Sequence, residues 1–583
     1  MKQAAVPSPA AQKRKYVPVN LEINAWSVLQ PFYEDLKNRP INSGSELGAW
    51  LSDQSELGAV ISEDMAWRYI RNSCDTVNPD YKAAYEFFVT EIQPHIAPYD
   101  DALNKKLLNS PHLDEFLNSL SPETRTAYGI YIRGIRKQVE IYREENIPLF
   151  TWLHTEENKY AEIVGAMTIE MEGKEITLQQ ASNYLRDSRR EVREEVYYKV
   201  NQRRMQDREK LDELFSGLVQ KRHEVAVNAG FANYRDYMFA ALGRFDYTAE
   251  DCFAFHDAIA KEIVPLCNAI DNERKAALKL DQLKPWDMEV DITGKPPLKP
   301  FDGGQDLMEK TILCFSKLNP YLGQCMQTMR EMQHVDLDSR KGKAPGGYNY
   351  PLYETGVPFI FMNSVNSLRD LITMVHEGGH AVHSFLTQDK EFVAFKDTPS
   401  EVAELASMSM ELISMDHWDV FFADQDELRR ARAQQLEKVI SQLPWIAAID
   451  KFQHWLYTNP QHTAAERKAE WTKINQQFAG NVTDYAGQEE FFGNSWQRQL
   501  HLFQVPFYYI EYGMAQLGAI AMWRNFKKDP ATGLHNYMEA LKLGYTRSIG
   551  DIYQQGGIRF DFSQTYIHEL AGFVKNQMEQ IPN

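Results

Sequence analysis

The residues of this sequence best suited to chemistry are two histidines four positions apart, His376 and His380, with Glu377 directly after the first. On an α-helix, positions i and i+4 lie on one face, so both imidazoles could bind the same metal ion. Glu377 would reach the same side, where a general base for a metal-activated water molecule has to lie. The spacing therefore predicts metal-dependent hydrolysis of a peptide bond.

The residues around this HExxH motif have the pattern of a buried amphipathic helix. Ser367 and Asp370 have the spacing of a capping box. Apolar residues then recur at helical intervals: Leu368, Leu371, Ile372, Val375 and Val382. We therefore predict that the motif lies inside a helix and that Asp370 also supports the metal ligands. The alternative is a pair of core histidines satisfied by backbone carbonyls, with Glu377 at the surface.

A third metal ligand is expected among four residues: His383, Glu401, Glu404 and Glu411. His383 shares the helical face, but it lies about 10 Å along the axis from His376, an awkward span for one ion. In Thr398-Pro399-Ser400-Glu401, the threonine suits the N-cap, the proline suits the first helical position and the glutamate suits the capping box. Helix initiation would therefore account for Glu401.

Glu404 is the predicted third ligand. It follows one turn later within an apolar stretch, and a buried carboxylate requires a metal or a partner. The alternative is a surface glutamate on an amphipathic helix. Glu411 returns to the same face seven residues later, so we predict that it orients a histidine ligand.

Two histidines, one glutamate and an open fourth position are typical of a catalytic zinc site, so we expect one Zn²⁺ per chain. Cobalt or manganese could also occupy such a site. The five cysteines are Cys74, Cys252, Cys267, Cys314 and Cys325. They contain no CxxC pair, so they predict neither a zinc ribbon nor a redox motif, and we interpret them as buried thiols. Their small, odd number argues against a disulfide framework and indicates a reducing compartment, the cytoplasm.

The chain as a whole has the periodicity of a large helical protein. Its 583 residues include 81 acidic and 63 basic ones, a net charge of -18 that argues against nucleic acid as a partner. No apolar run is long enough to predict a membrane span. We predict a disordered leader at residues 1–16, an N-terminal helical region at 17–185 and a catalytic region at 186–583. The oligomeric state is left open.

A glycine-rich loop and a β-prone segment precede the HExxH motif. The loop, Arg340–Tyr348, lacks the GKS or GKT ending of a phosphate-binding loop. The segment Val357–Asn363 predicts a short strand, whose exposed edge could pair with an extended peptide. This makes four residues candidate substrate contacts: Gly346, Gly347, Tyr348 and Phe359. The alternative is an ordinary packed strand behind a loop.

An aromatic segment near the C-terminus contains further candidate catalytic groups. Amide hydrolysis passes through an oxyanion, which phenol or imidazole donors can stabilise. His501, Tyr509 and Tyr512 supply such donors, and the two tyrosines share a helical face. The alternative is a simple aromatic core. Tyr508 and Arg498 are candidate substrate contacts, because a guanidinium binds carboxylates with two parallel hydrogen bonds.

These motifs occur in the order found in the M3 family of zinc oligopeptidases, and the sequence resembles the oligoendopeptidase F branch of that family. The resemblance rests on four segments: Asp370–His383, Ala403–Ser407, Phe507–Tyr512 and Gly230–Tyr237. Gly378 departs from it, because family members usually have a bulky residue there. Paired glycines inside a helix cost about 1 kcal/mol each relative to alanine, which predicts a looser helix at this point.

The resemblance implies a mainly α, elongated, two-lobed body with a deep substrate channel and a small antiparallel β element beside the zinc helix. It implies cleavage of internal bonds in short peptides, with His376, His380 and Glu404 as ligands and Glu377 as base. His501 and Tyr512 would then stabilise the transition state, with Tyr509 close by. Two alternatives remain. The Tyr-Ile-x-Tyr pattern is also similar to angiotensin-converting enzymes, which release dipeptides, and a metal-free peptide-binding module could have the same scaffold.

Overall fold

Helices dominate residues 14–581, the part of the chain that the computed structural model describes, and this confirms the predicted mainly α fold. In chain order the helices are α1 (Trp26–Asn38), α2 (Gly44–Cys74), α3 (Pro79–Phe87), α4 (Gln93–Leu108), α5 (Leu113–Ser119), α6 (Pro122–Ile141), α7 (Ile147–Gly165), α8 (Leu178–Ala181), α9 (Arg190–Gln206), α10 (Arg208–Asn228), α11 (Tyr234–Ala241), α12 (Ala249–Ala258), α13 (Val264–Ala277), α14 (Gly303–Leu318), α15 (Pro320–Glu331), α16 (Leu368–Leu386), α17 (Ser400–Ile413), α18 (Gln425–Thr458), α19 (Ala464–Phe478), α20 (Glu489–Gly493), α21 (Leu500–Gln504), α22 (Tyr509–Lys528), α23 (Pro530–Lys542), α24 (Ile549–Gln555) and α25 (Gln564–Glu579). Within residues 14–581, no helix is both long enough and apolar enough to cross a membrane.

The chain forms two compact units, each assembled from separate stretches of sequence. Unit 1 comprises residues 1–140, 298–431 and 518–560, and unit 2 comprises residues 141–297, 432–517 and 561–583. Two units agree with the predicted two lobes. The elongated shape, the substrate channel and the sequential division at residue 186 stay predictions.

The predicted leader falls largely outside the described residues, which exclude 1–13. Its last three residues are tied to unit 1. Arg14 donates to the Glu354 carboxylate at 2.6 Å. The backbone N–H groups of Lys15 and Tyr16 donate to Glu56 at 3.0 and 2.9 Å. The predicted disorder therefore does not extend to residues 14–16.

The β structure is small. In unit 2, β1 (Thr168–Met171) and β2 (Lys174–Thr177) form an antiparallel hairpin. In unit 1, β3 (Val335–Asp338), β4 (Tyr348–Tyr350) and β5 (Phe359–Ser364) form a sheet in the order β3-β5-β4. β4 is antiparallel to β5, as predicted, whereas β3 is parallel to it. This mixed sheet contacts α16 through β4 and β5.

The helix that carries the HExxH motif, α16, has the predicted cap. The Ser367 side chain accepts from the Asp370 N–H, and the Asp370 carboxylate accepts from the Ser367 N–H at 2.9 Å. The cap predicted for the next helix is wrong. α17 begins at Ser400 with Pro399 at the N-cap and no side-chain cap bond, so Glu401 is not in a capping box. The cause is local: the helix begins one residue later than the Thr-Pro signal indicates.

Candidate metal centre and active site

Three of the predicted ligands come together in unit 1. One ligand atom each from His376, His380 and Glu404 lies within 4.8 Å of the other two. Glu404 Oε2 lies 3.4 Å from His376 Nε2 and 3.9 Å from His380 Nε2. Glu404 is buried, whereas each histidine side chain keeps about a fifth of its surface exposed. The cluster is therefore enclosed on the α17 side and accessible at the imidazoles.

Two neighbours orient these ligand atoms. His376 Nδ1 lies 2.7 Å from Glu411 Oε1, and a carboxylate can only accept, so Nδ1 carries a proton and Nε2 is the nitrogen that faces Glu404. The buried hydroxyl of Ser407 donates to Glu404 Oε2 at 3.1 Å. The Nε2 and carboxylate atoms are thus held in position by side chains that are themselves in α17.

The electrostatics of the cluster call for a cation. Burial disfavours charge on His376, but the hydrogen bond to Glu411 and the Glu404 carboxylate outweigh it and raise the His376 pKa to about 9. Burial lowers the pKa of His380 well below its usual value. A proton on His376 offsets part of the negative charge of the nearby carboxylates. A divalent ion would do so more completely.

Glu377 is buried directly beside the ligands. Burial raises its pKa to about 7, against the opposing effect of His376. A carboxyl group with a pKa near neutrality can accept a proton and release it again at physiological pH, as a general base must.

The two glycines of the motif allow α16 to pack closely. A Cβ on Gly379 would lie 2.6 Å from the Ser407 Cα and 2.8 Å from the Ala406 carbonyl oxygen. A Cβ on Gly378 would lie 2.8 Å from the Phe315 ring of α14. The helix is continuous through both, so the predicted loosening is wrong. Gly379 instead lets α17, and with it Glu404, approach the histidines, and Gly378 leaves room for Phe315 of α14.

Asp370 lies elsewhere than predicted. Its carboxylate accepts hydrogen bonds from the Val365 and Ser367 N–H groups and from the Ser367 hydroxyl, all at the start of α16. It therefore caps the helix, six residues before His376, and this capping role replaces the predicted support of the ligands.

The sheet corrects one predicted substrate contact. β5 has a strand on each side, so Phe359 offers no open edge to a peptide, and its ring is buried against Trp67. Within the described chain the edge strand near the motif is β4. There the side-chain amide of Asn349 lies 3.5 Å from the Glu377 carbonyl oxygen. Strand order depends on distant residues, which is why the β-prone sequence alone pointed to the wrong strand.

The glycine-rich loop leads directly into β4. Gly346 has a φ of 96°, which only glycine adopts readily, and its carbonyl accepts from the Asn363 side chain at 2.9 Å. A Cβ on Gly347 would approach the Phe361 carbonyl oxygen to 3.3 Å. Tyr348 stacks on Phe361, with ring centroids 4.9 Å apart. These contacts hold the loop against β5 and fix the start of the edge strand.

The imidazole and phenol candidates form their own cluster in unit 2. The His501 ring lies 4.8 Å from Tyr509, 5.8 Å from Tyr512 and 6.2 Å from Tyr508, between ring centroids. Tyr509 begins α22, so the tyrosines at 509 and 512 share a helix as predicted. Phe507, just before them, has a φ of 67°, a conformation that is costly for a residue other than glycine.

Two buried side chains hold that strained residue. The Phe507 N–H donates to the Gln453 side chain at 2.6 Å, and its carbonyl accepts from the Arg244 guanidinium. Arg244 also forms a buried ion pair with Glu511 at 2.9 Å. This network fixes the backbone just before α22 and thereby the orientation of the tyrosine side chains.

A hydrogen-bonded chain fixes the tautomer of His501. The Trp445 indole N–H can only donate, and it donates to Gln499 Oε1 at 2.9 Å. The Gln499 amide nitrogen therefore faces His501 Nδ1, at 2.7 Å, and donates to it. The ring proton is then on Nε2, which makes Nε2–H the donor. Burial lowers the His501 pKa to about 4, so the ring is neutral at physiological pH.

Arg498 lies over the Trp445 ring, 4.2 Å from its centroid, and lines a cavity of about 470 Å³ in unit 2 together with Arg204. Neither guanidinium forms an ion pair with a carboxylate among the described residues, and Asp271 and Glu289 line the same cavity.

Three residues that contact the candidate site residues were not predicted from the sequence. Ser407 lies one turn after Glu404, and this i+3 spacing could have indicated it. Gln499 and Asn349 had no comparable signal, because their roles depend on Trp445 and on the position of β4.

The comparisons with known proteins place this chain in a family of peptidases. The model of the family described as peptidase family M3 matches residues 183–572, and the peptidase M3 N-terminal domain matches residues 18–126. Oligopeptidase PepF of Bacillus subtilis is 24% identical over 66% of this chain and 56% of its own length. The oligoendopeptidase F homolog of Borreliella burgdorferi is 22% identical over 84% of this chain and 81% of its own.

Among solved structures, Pz peptidase A, determined with inhibitor 2, has the same fold. It superposes with a TM-score of 0.88 over 97% of this chain and 99% of its own, at 24% identity. The matched family model covers more than half of the sequence, including every residue of the metal cluster and of the His501 cluster. This chain therefore belongs to peptidase family M3.

Proposed function

We propose that this chain is a zinc-dependent oligopeptidase that hydrolyses internal bonds of short, unstructured peptides. The observation that carries the proposal is the cluster of His376, His380 and Glu404, with buried Glu377 beside it. Membership of peptidase family M3, and similarity to proteins named oligoendopeptidase F, support peptides as the substrate class. The absence of disulfides among its five cysteines supports a cytoplasmic location.

The residues present fit a zinc ion. Two imidazoles and one carboxylate are the ligands of many catalytic zinc sites. Two ligands of a tetrahedral zinc, each about 2.05 Å from the metal, are about 3.3 Å apart. The 3.4 Å between His376 Nε2 and Glu404 Oε2 is close to that value. Glu411 leaves the lone pair of His376 Nε2 available, as a metal ligand requires.

The proposed mechanism assigns each residue one role. Zinc, when bound, supplies a Lewis acid and lowers the pKa of water to about 7. Glu377 accepts the proton of the attacking water and delivers it to the departing amine. We assign to His501 Nε2–H and the Tyr512 hydroxyl the stabilisation of the oxyanion, with Tyr509 as the neighbouring phenol. The neutral, fixed tautomer of His501 supports that assignment.

For the substrate we propose an extended peptide along the edge of β4. A strand edge offers backbone hydrogen bonds to any sequence and leaves selectivity to side-chain pockets. The position of β4 against α16, next to Glu377, supports this choice. Gly346, Gly347 and Tyr348 would then lie at the start of the peptide-binding strand.

The decisive experiment compares Glu377→Gln with the parent. The amide retains the shape of the side chain but cannot take a proton, so we expect unchanged zinc content and a loss of turnover of at least about 10³-fold on a quenched peptide. Glu391→Gln, which changes an exposed glutamate of unit 1, is the matched control and should keep full activity. Near-parental turnover by Glu377→Gln would refute the mechanism. Product masses from a peptide library separate internal cleavage from dipeptide release.

A further inference from the structure

A second group of metal-binding side chains lies wholly within unit 2. One ligand atom each from Cys252, Asp450 and His454 lies within 4.8 Å of the other two, and all three residues are buried. Cys252 belongs to α12, and Asp450 and His454 lie one turn apart on α18. A fourth residue, His256, follows Cys252 by one turn and contacts Asp450, with Nε2 2.8 Å from Oδ2. Each helix thus presents two residues at i, i+4 spacing to the same point.

Two members of this group, Asp450 and His454, have buried polar atoms without a hydrogen-bond partner among the described residues. Asp450 is fully buried, and its Oδ1 accepts no hydrogen bond. Neither ring nitrogen of His454 forms a hydrogen bond, although the ring is almost completely buried. Buried polar groups without partners cost about 1–3 kcal/mol each, and more when charged. A missing partner at the centre of the group would account for them.

The distances within this group match those between ligands of one ion. His454 Nε2 lies 3.3 Å from Asp450 Oδ2 without hydrogen-bond geometry. That separation is nearly the 3.4 Å found between His376 and Glu404, and it is close to the about 3.3 Å expected for two ligands of tetrahedral zinc. We propose that Cys252, Asp450 and His454 bind a second zinc ion, which makes two per chain instead of one.

Charge balance favours this site over a metal-free ion pair. A thiolate and a carboxylate neutralise Zn²⁺ with His454 neutral, so no net charge is buried. Without metal, His454 Nε2 could pair only with Asp450 Oδ2, at 3.3 Å, and Nδ1 would keep no hydrogen-bond partner among the described residues. His256 would hold the Asp450 carboxylate in place, as groups behind a metal ligand commonly do. Because every ligand is buried, the ion would tie α12 to α18 and take no part in catalysis.

Cobalt substitution separates the two metal sites, because only the Cys252 site contains sulfur. Thiolate ligation gives Co²⁺ a charge-transfer absorption in the near ultraviolet, which the HExxH site cannot produce. We expect two metal ions per parental chain by elemental analysis, together with that absorption. Cys252→Ser should retain one ion and lose the absorption. Cys267→Ser, the matched control in unit 2, should retain both ions and the absorption.

The catalytic site is tested independently with His380→Ala. That variant should retain one ion and the full thiolate absorption, whatever its activity. If Cys252→Ser fails to fold, the parental spectrum and His380→Ala still decide the question. One metal ion per parental chain and no thiolate absorption would overturn the second site and leave the proposed catalytic zinc untouched. Absorption unchanged in Cys252→Ser would also refute it.

Discussion

At the scale of single residues, the proposed chemistry depends on side chains that fix protons on others. Glu411 keeps the His376 proton on Nδ1, and Gln499 keeps the His501 proton on Nε2. His376 can thereby bind a metal through Nε2, and His501 can donate a hydrogen bond through Nε2–H. The same residue type acquires opposite roles from the group that contacts its Nδ1 atom.

Gln499→Glu should reverse the His501 tautomer. A carboxylate accepts from Nδ1–H, which leaves Nε2 as an acceptor and removes the proposed oxyanion donor. We expect kcat/KM at pH 7.5 to fall by about tenfold to a hundredfold with zinc content unchanged. In Gln499→Leu both tautomers of His501 are accessible, so its kcat/KM should fall less than that of Gln499→Glu.

The pH dependence of that variant provides a further check. In the parent, burial holds the His501 pKa at about 4, so His501 stays neutral and contributes no slope between pH 5 and 8. The new carboxylate would raise this pKa, and a protonated ring regains N–H at Nε2. The deficit of Gln499→Glu relative to the parent should therefore shrink as the pH falls. Activity of Gln499→Glu equal to or above that of Gln499→Leu at pH 7.5 would contradict the assignment.

At the scale of secondary-structure elements, the proposed metal centre depends on how closely α16 and α17 approach each other. Gly379 permits this approach, because any side chain there would meet the backbone of Ala406 and Ser407. A backbone cannot rotate away as a side chain can. The glycine therefore contributes to the position of Glu404 without touching the metal.

Gly379→Ala should separate the two helices. We expect a loss of about 1–3 kcal/mol in the free energy of unfolding and weaker zinc binding, measured by denaturant titration and by competition with a chelator. The control is Gly58→Ala in α2, where a Cβ meets nothing within 4 Å, so helix propensity should stabilise the protein by up to about 1 kcal/mol. If Gly379→Ala keeps the parental stability and zinc affinity, α16 and α17 are not packed closely enough at Gly379 to exclude a side chain.

The helices and strands also show which structural features could be predicted from the sequence. The capping box and apolar spacing of α16 are local signals, and they predicted the helix correctly. The prediction of an exposed edge at β5 was wrong because strand order is set by residues far apart in sequence. The predicted start of α17 was wrong by one residue. The function of Gly379 depends on the backbone of another helix, so no pattern within α16 could reveal it.

At the scale of the whole molecule, the candidate functional residues are divided between the two units. Unit 1 contains the HExxH helix, Glu404 and the edge strand β4. Unit 2 contains the His501 cluster and the buried group at Cys252. The sequence identified the residues of the first two sites by type and spacing, with the family resemblance for their roles. It did not identify the Cys252 group, because 194 residues separate His256 from Asp450.

The most direct test of the central claim is the metal content of two variants of α17. Glu401 and Glu404 are both buried glutamates, one helical turn apart, but only Glu404 belongs to the metal cluster. We expect Glu404→Gln to lose one metal ion per chain and its peptidase activity. Glu401→Gln should keep the parental metal content and the parental activity. If Glu404→Gln binds as much zinc as the parent, the proposed centre is wrong.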